Sequence, residues 1–238
     1  YTQGGVEKVI DLTEDDLVIC TNGCQGDASA YGDNTHAPVI TVKNGEGPSI
    51  EMWKKIAAQD PAFGRPEKFF AGIKETSWES WTVDTANKQI LDAIQKICKR
   101  DPLSGKVVTG GIVTVKDSSW LMSWTINRQP QFRAQPKDHC LVWVYSLFTD
   151  KPGDFIKKPM RECTGKEICM EWLYHIGVPV EKIDSLAKDA CNTTTCFMPY
   201  INAFFQPRKN EDRPRIVPEG SVNFAFLGQF TETPRDTI

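Results

Sequence analysis

Between Trp120 and Phe132 the segment WLMSWTINRQPQF sets Thr125, Asn127, Arg128, Gln129 and Gln131 close together, directly after an apolar, tryptophan-rich run. Polar groups gathered where a buried segment ends can hold the head of an otherwise apolar ligand, because each desolvated group needs a partner. The same residues also suit an ordinary strand end followed by a polar turn, with Pro130 fixing the backbone. A second candidate is LVICTNG, which brings Asn22 and Gly23 to the end of an apolar run. Glycine there allows a ligand to approach backbone N–H groups closely, and it equally suits a plain turn.

The elements that must position these residues follow from hydrophobic period. VEKVI (6–10) and LVIC (17–20) read as short strands, and 25–34 as a small polar loop. Ser49 is placed to cap a helix that puts Ile50, Trp53, Ile56 and Ala57 on one face. Residues 61–83, broken by Pro61, Gly64 and Pro66, read as loop and short helical pieces. From Thr85 to Arg100, Ile90, Leu91, Ile94, Ile97 and Cys98 trace a helical stripe. The period then changes to that of strands: VVTGGIVTV, WLMSWTINR and CLVWVYSLF, joined by connections short enough for an antiparallel meander. Thr164 and Glu167 form a capping-box pattern for a helix ending near Gly177, and a shorter helix covers 180–190. Two strands close the chain: 196–206, bent at Pro199, and 222–230, reaching Gly228. KNEDRPR between them reads as a solvated loop. The fold class expected is α+β, a mixed and largely antiparallel sheet with helices.

With 28 basic against 31 acidic side chains in 238 residues, charge is nearly balanced, which excludes the electrostatic footprint of a nucleic-acid binder. No apolar run approaches the length of about 18 residues that a membrane span needs, and the first thirty residues lack a secretory leader pattern. The chain therefore reads as soluble and cytoplasmic. Its eight cysteines are scattered at irregular spacings, several in apolar runs, so free buried thiols are expected rather than a disulfide framework. Neither Cys163 with Cys169 nor Cys191 with Cys196 has zinc-knuckle spacing, and no metal site is expected. His36 reads as an exposed loop residue, and His139 and His175 as structural. Asn192, Thr193 and Thr194 form a glycosylation acceptor that matters only in a secreted protein.

WTINRQPQF, together with DDLVICTNGCQGDASAYGDN, YHIGVP and PYINAFFQPRKNEDRPRIVPEGSVNFAFLGQFTETPRDT in the same order, resembles the oleate hydratases, the flavin-containing fatty-acid hydratases also called myosin-cross-reactive antigens. The resemblance covers essentially the whole chain. It implies a split FAD-binding domain contributed by residues 1–45 and 196–238, around a substrate-binding region with antiparallel sheet over 46–195. It also implies that a T-x-N-x-x-x-H pattern holds the fatty-acid carboxylate. Here Thr125 and Asn127 match, but the third position is Gln131, a neutral donor. The carboxylate is then expected at the mouth of an apolar channel. Asn22, Gly23, Gly228, Phe230, Thr231, Glu232 and Asp236 are the implied flavin contacts, through backbone N–H groups and a Thr231 or Thr233 hydroxyl. Thr233 or Asp236 can instead be a plain helix cap.

No G-x-G-x-x-G follows any expected strand. The family carries that loop and its catalytic groups upstream, so the chain is expected to be the C-terminal portion of a larger enzyme, without catalytic residues of its own. The partners implied are an unsaturated long-chain fatty acid and the remaining N-terminal portion, with a homodimer and peripheral membrane contact left open. Two other readings stay open: a lipid-binding module without chemistry, and a flavin oxidoreductase of similar architecture.

Overall fold

The computed structural model describes residues 1–233. Among these the strands are β1 (Thr2–Gln3), β2 (Val6–Glu7), β3 (Val18–Thr21), β4 (Ala30–Gly32), β5 (Trp78–Thr85), β6 (Val113–Thr114), β7 (Met122–Thr125), β8 (Cys140–Ser146), β9 (Asn192–Met198) and β10 (Phe224–Leu227). The α-helices are α1 (Pro48–Ala57), α2 (Ile73–Thr76), α3 (Lys88–Cys98), α4 (Gly165–His175) and α5 (Val180–Asp189). The fold is α+β, as expected. It divides into two compact units, one from residues 1–24, 45–71 and the described part of 204–238, the other from 25–44 and 72–203.

The larger unit is a six-stranded sheet in the order β4-β9-β5-β8-β7-β6, antiparallel at every pairing. Alternation sends Trp81 and Val83 of β5 and Cys140, Val142 and Val144 of β8 into one core. That core is closed by Ile90 and Ile94 of α3, Ile168, Trp172 and Leu173 of α4, and Ile183 and Ala187 of α5. Asn87 caps α3 by accepting from the N–H groups of Gln89 and Ile90, and Lys99 ends it in the left-handed region at φ 57°. Thr164 and Glu167 form the expected capping box on α4, a device whose loss costs about 1 kcal/mol.

An acidic side chain also lies in the interior of this unit. Glu79 of β5 is fully buried, and neither carboxylate oxygen has a hydrogen-bond partner among the described residues. Burial pushes its pKa well above the ordinary carboxylate range, partly countered by the Thr195 hydroxyl.

In the smaller unit β3 and β10 pair in parallel, Val18 opposite Phe224 and Thr21 opposite Leu227. Its core is aromatic: Phe230 lies 5.5 Å from Trp53, 5.4 Å from Phe69 and 5.0 Å from Phe70 between ring centroids. Such pairs add about 0.5–1.5 kcal/mol each beyond area burial.

Several local expectations are corrected. Residues 78–83, expected as loop and short helical pieces, belong to the central strand β5, which also takes in Thr85, the expected start of a helix, because β8 and β9 satisfy both edges of a segment whose polar side chains hide its alternation. The expected loop 25–34 contributes β4, paired to β9. VEKVI forms only β2, in an exposed ribbon with β1. VVTGGIVTV keeps only Val113–Thr114 as strand, with Gly110 at φ 67°. The strand expected over 196–206 instead spans Asn192–Met198 and ends before Pro199. Asp212, in the supposedly solvated KNEDRPR, is buried and pairs with Arg65 at 3.3 Å.

Candidate functional site

The polar turn after β7 is built from β7 and its neighbour β8, with Thr125 opposite Trp143. The Thr125 hydroxyl donates to the Gly111 carbonyl at 3.1 Å and lies 2.9 Å from Thr109 Oγ1. Asn127 and Gln131 are exposed, and among the described residues no hydrogen bond joins the Thr125, Asn127 and Gln131 side chains. What organises the turn is Gln129, which is buried. Its Nε2 donates to the Asn127 carbonyl at 3.1 Å, and its Oε1 accepts from the Leu141 N–H at 3.1 Å and from Gln135 Nε2 at 2.7 Å. A side-chain amide thus takes the place of a ladder pairing to β8. The Gln129–Pro130 peptide is cis. Asn127 and Gln131 are left as outward hydrogen-bonding groups beside a rigid strand end.

In the smaller unit a second polar corner sits at the carboxyl ends of β3 and β10. Asn22 is fully buried; its Nδ2 donates to the Phe230 carbonyl at 3.2 Å, and its Oδ1 accepts from the Thr231 hydroxyl at 3.1 Å. Gly23 has φ +70°, and a Cβ there would lie 3.1 Å from the Phe230 ring, so glycine is needed for both conformation and space. Gly228, at φ +125°, is exposed. Glu232 is held by Arg208 at 3.2 Å and donates its N–H to the Pro214 carbonyl at 2.8 Å. Asn22, Phe230 and Thr231 therefore face one another inside the unit. Asp236 lies outside the described residues.

Sequence reasoning missed a third cluster. Glu171 and His175 stand four apart on α4, and Asp154 comes from the preceding loop. Burial raises the Glu171 pKa, but His175 and the backbone N–H groups of Ile156, Phe155 and Asp154 outweigh it and hold the carboxyl below its ordinary value. Burial raises the Asp154 pKa as well, but the Ser119 bonds, His175 and Lys157 together outweigh it and hold the carboxyl low. The i,i+4 Glu–His spacing was the available signal, but the third member is distant in sequence.

Comparison with known proteins bears on what these corners serve. The model of the MCRA family matches residues 1–238. The chain is 44% identical over 240 residues to an oleate hydratase of Streptococcus pyogenes serotype M49 (strain NZ131), a match covering 100% of this chain and 40% of that protein. It is 32% identical over 251 residues to a linoleate hydratase of Lactiplantibacillus plantarum, covering 99% of this chain and 43% of that protein. The chain spans about two fifths of the length of the curated relatives it matches. With a family match running from its first residue to its last, the chain belongs to the MCRA family.

Proposed function

We propose that this chain is part of a fatty-acid hydratase, a hydro-lyase adding water across a cis double bond of an unsaturated long-chain fatty acid, of the kind that converts oleate to 10-hydroxystearate. What carries the reading is the match of essentially the whole of this chain to two relatives named for hydration of oleate and linoleate. Thr125, Asn127 and Gln131 form its head-group station. Asn127 and Gln131 offer amide N–H donors to the carboxylate, while Thr125 and the buried Gln129 hold the strand end that presents them. The general acid and base that protonate the alkene and activate water belong to the remainder of the enzyme.

FAD is the cofactor of this reading. The corner fits such a group in one respect: ligands of open parallel sheets bind beyond the carboxyl ends of the strands, and both Gly23 and Gly228 sit there with positive φ. The exposed Gly228 and the half-buried Glu232 would hold the flavin, and Asn22, Phe230 and Thr231 brace the turn behind them. When bound, the flavin organises the site without net redox change. Peripheral membrane contact, a homodimer and a cytoplasmic location complete the reading; among the described residues no helix is long and apolar enough to cross a membrane.

Titration of the purified chain with oleate and with methyl oleate tests the head-group station. A hydrogen bond to a charged group contributes about 1.5–3 kcal/mol, so oleate should bind roughly ten- to a hundredfold tighter than its ester, and Asn127→Ala should erase most of that preference. Equal binding of acid and ester, unchanged in Asn127→Ala, would remove these residues from the substrate site.

A further inference from the structure

The contacts of His175 are longer than a hydrogen-bonded ion triad requires. Charge-assisted N–H···O⁻ bonds measure about 2.7–2.9 Å. His175 Nε2 instead stands 3.2 Å from Glu171 Oε1 and 3.3 Å from Asp154 Oδ2. A single Nε2 proton has one direction and cannot serve both oxygens well. The two separations do match the edge of a tetrahedron, about 3.3 Å when metal–ligand bonds are about 2.0–2.1 Å as at zinc. All three ligand atoms lie within 4.8 Å of one another.

We propose that Asp154, Glu171 and His175 form a binding site for one divalent transition ion of the zinc class, tying the loop at Asp154 to α4. The donor set suits such an ion, since imidazole selects against magnesium and calcium while two carboxylates offset the metal's charge. The outer contacts are those of a prepared site. Glu171 accepts from the N–H groups of Asp154, Phe155 and Ile156, and Asp154 accepts from the N–H and hydroxyl of Ser119. These bonds fix both carboxylates before any ion arrives. Burial is graded: the Glu171 side chain is 0% exposed, His175 9% and Asp154 27%, which leaves an entry path and a position for a water ligand on the Asp154 side. The ion takes the Nε2 lone pair: a neutral imidazole carries its one N–H on Nδ1 when it binds, and only an imidazolium gives up a proton to solvent.

The test is titration of the chelator-stripped chain with Zn²⁺ by calorimetry and with Co²⁺ by absorption. One equivalent should bind, and the Co²⁺ form should show d–d bands without a thiolate charge-transfer band. Affinity should fall by more than about tenfold in Asp154→Asn and in His175→Gln. Circular dichroism confirms that each variant is folded; should His175→Gln not fold, Asp154→Asn, which can keep its Ser119 contacts, decides. A thiolate band, absence of uptake, or unchanged affinity in the folded variants would overturn the site. Mg²⁺ binding as tightly as Zn²⁺ would overturn the class of ion.

Discussion

Replacing Glu79 with glutamine isolates what a buried acid does to the larger unit. In the folded chain this carboxyl is fully buried, with no hydrogen-bond partner on either oxygen among the described residues, so it keeps its proton well above the ordinary value of 4.5. In the unfolded chain it ionises near that value. Between the two pKa values the folded state holds one proton more than the unfolded state, so stability falls as pH rises, by about 1.4 kcal/mol per pH unit. The loss accumulates across the pH interval between the two pKa values and stops once the folded value is passed. The nearby thiols of Cys163 and Cys196 are themselves raised by burial and stay neutral over this range, so the slope belongs to Glu79. Urea unfolding of wild type and Glu79→Gln across that pH range is the assay. The difference in stability should grow with pH in favour of the glutamine variant, whose amide has the hydroxyl of Thr195 within reach. Parallel stability profiles would refute the reasoning, because they would mean that Glu79 has the same pKa folded and unfolded.

Gln131→His should tighten oleate binding by restoring a donor that can carry charge, an increment of about 1 kcal/mol or roughly fivefold measured by titration below the imidazole pKa. Loss of binding would show that position 131 does not face the carboxylate. Gly165→Ala should destabilise the chain by more than an ordinary surface change, about 1–3 kcal/mol by thermal unfolding. The added Cβ would sit 2.6 Å from the Thr193 carbonyl and 2.7 Å from that of Asp33, and backbone on two sides cannot yield cheaply. A neutral result would mean that β9 and the 33–36 turn move apart freely.

Elements specified by near neighbours along the chain are legible in the sequence alone. The α4 capping box, the apolar stripe of α3 and the meander from β6 through β8 each rest on contacts within a few residues or on a simple alternation. The candidate head-group residues are legible for the same reason, since Thr125, Asn127 and Gln131 share one turn. Their role in that turn is not. Gln129 has no signal marking it as the buried organiser, because its partner Leu141 lies on the next strand. The centrality of β5 is hidden by Glu79 and Ser80, polar residues that a strand accepts only when partners on both sides supply its backbone bonds. Asn22 and Thr231 meet across 209 positions, and Asp154 joins Glu171 and His175 only when its loop folds onto α4. Local order is fixed by torsional preference and pattern along the chain. Which distant polar groups share a site is decided by burial, which makes an unpaired donor or acceptor too costly to leave alone.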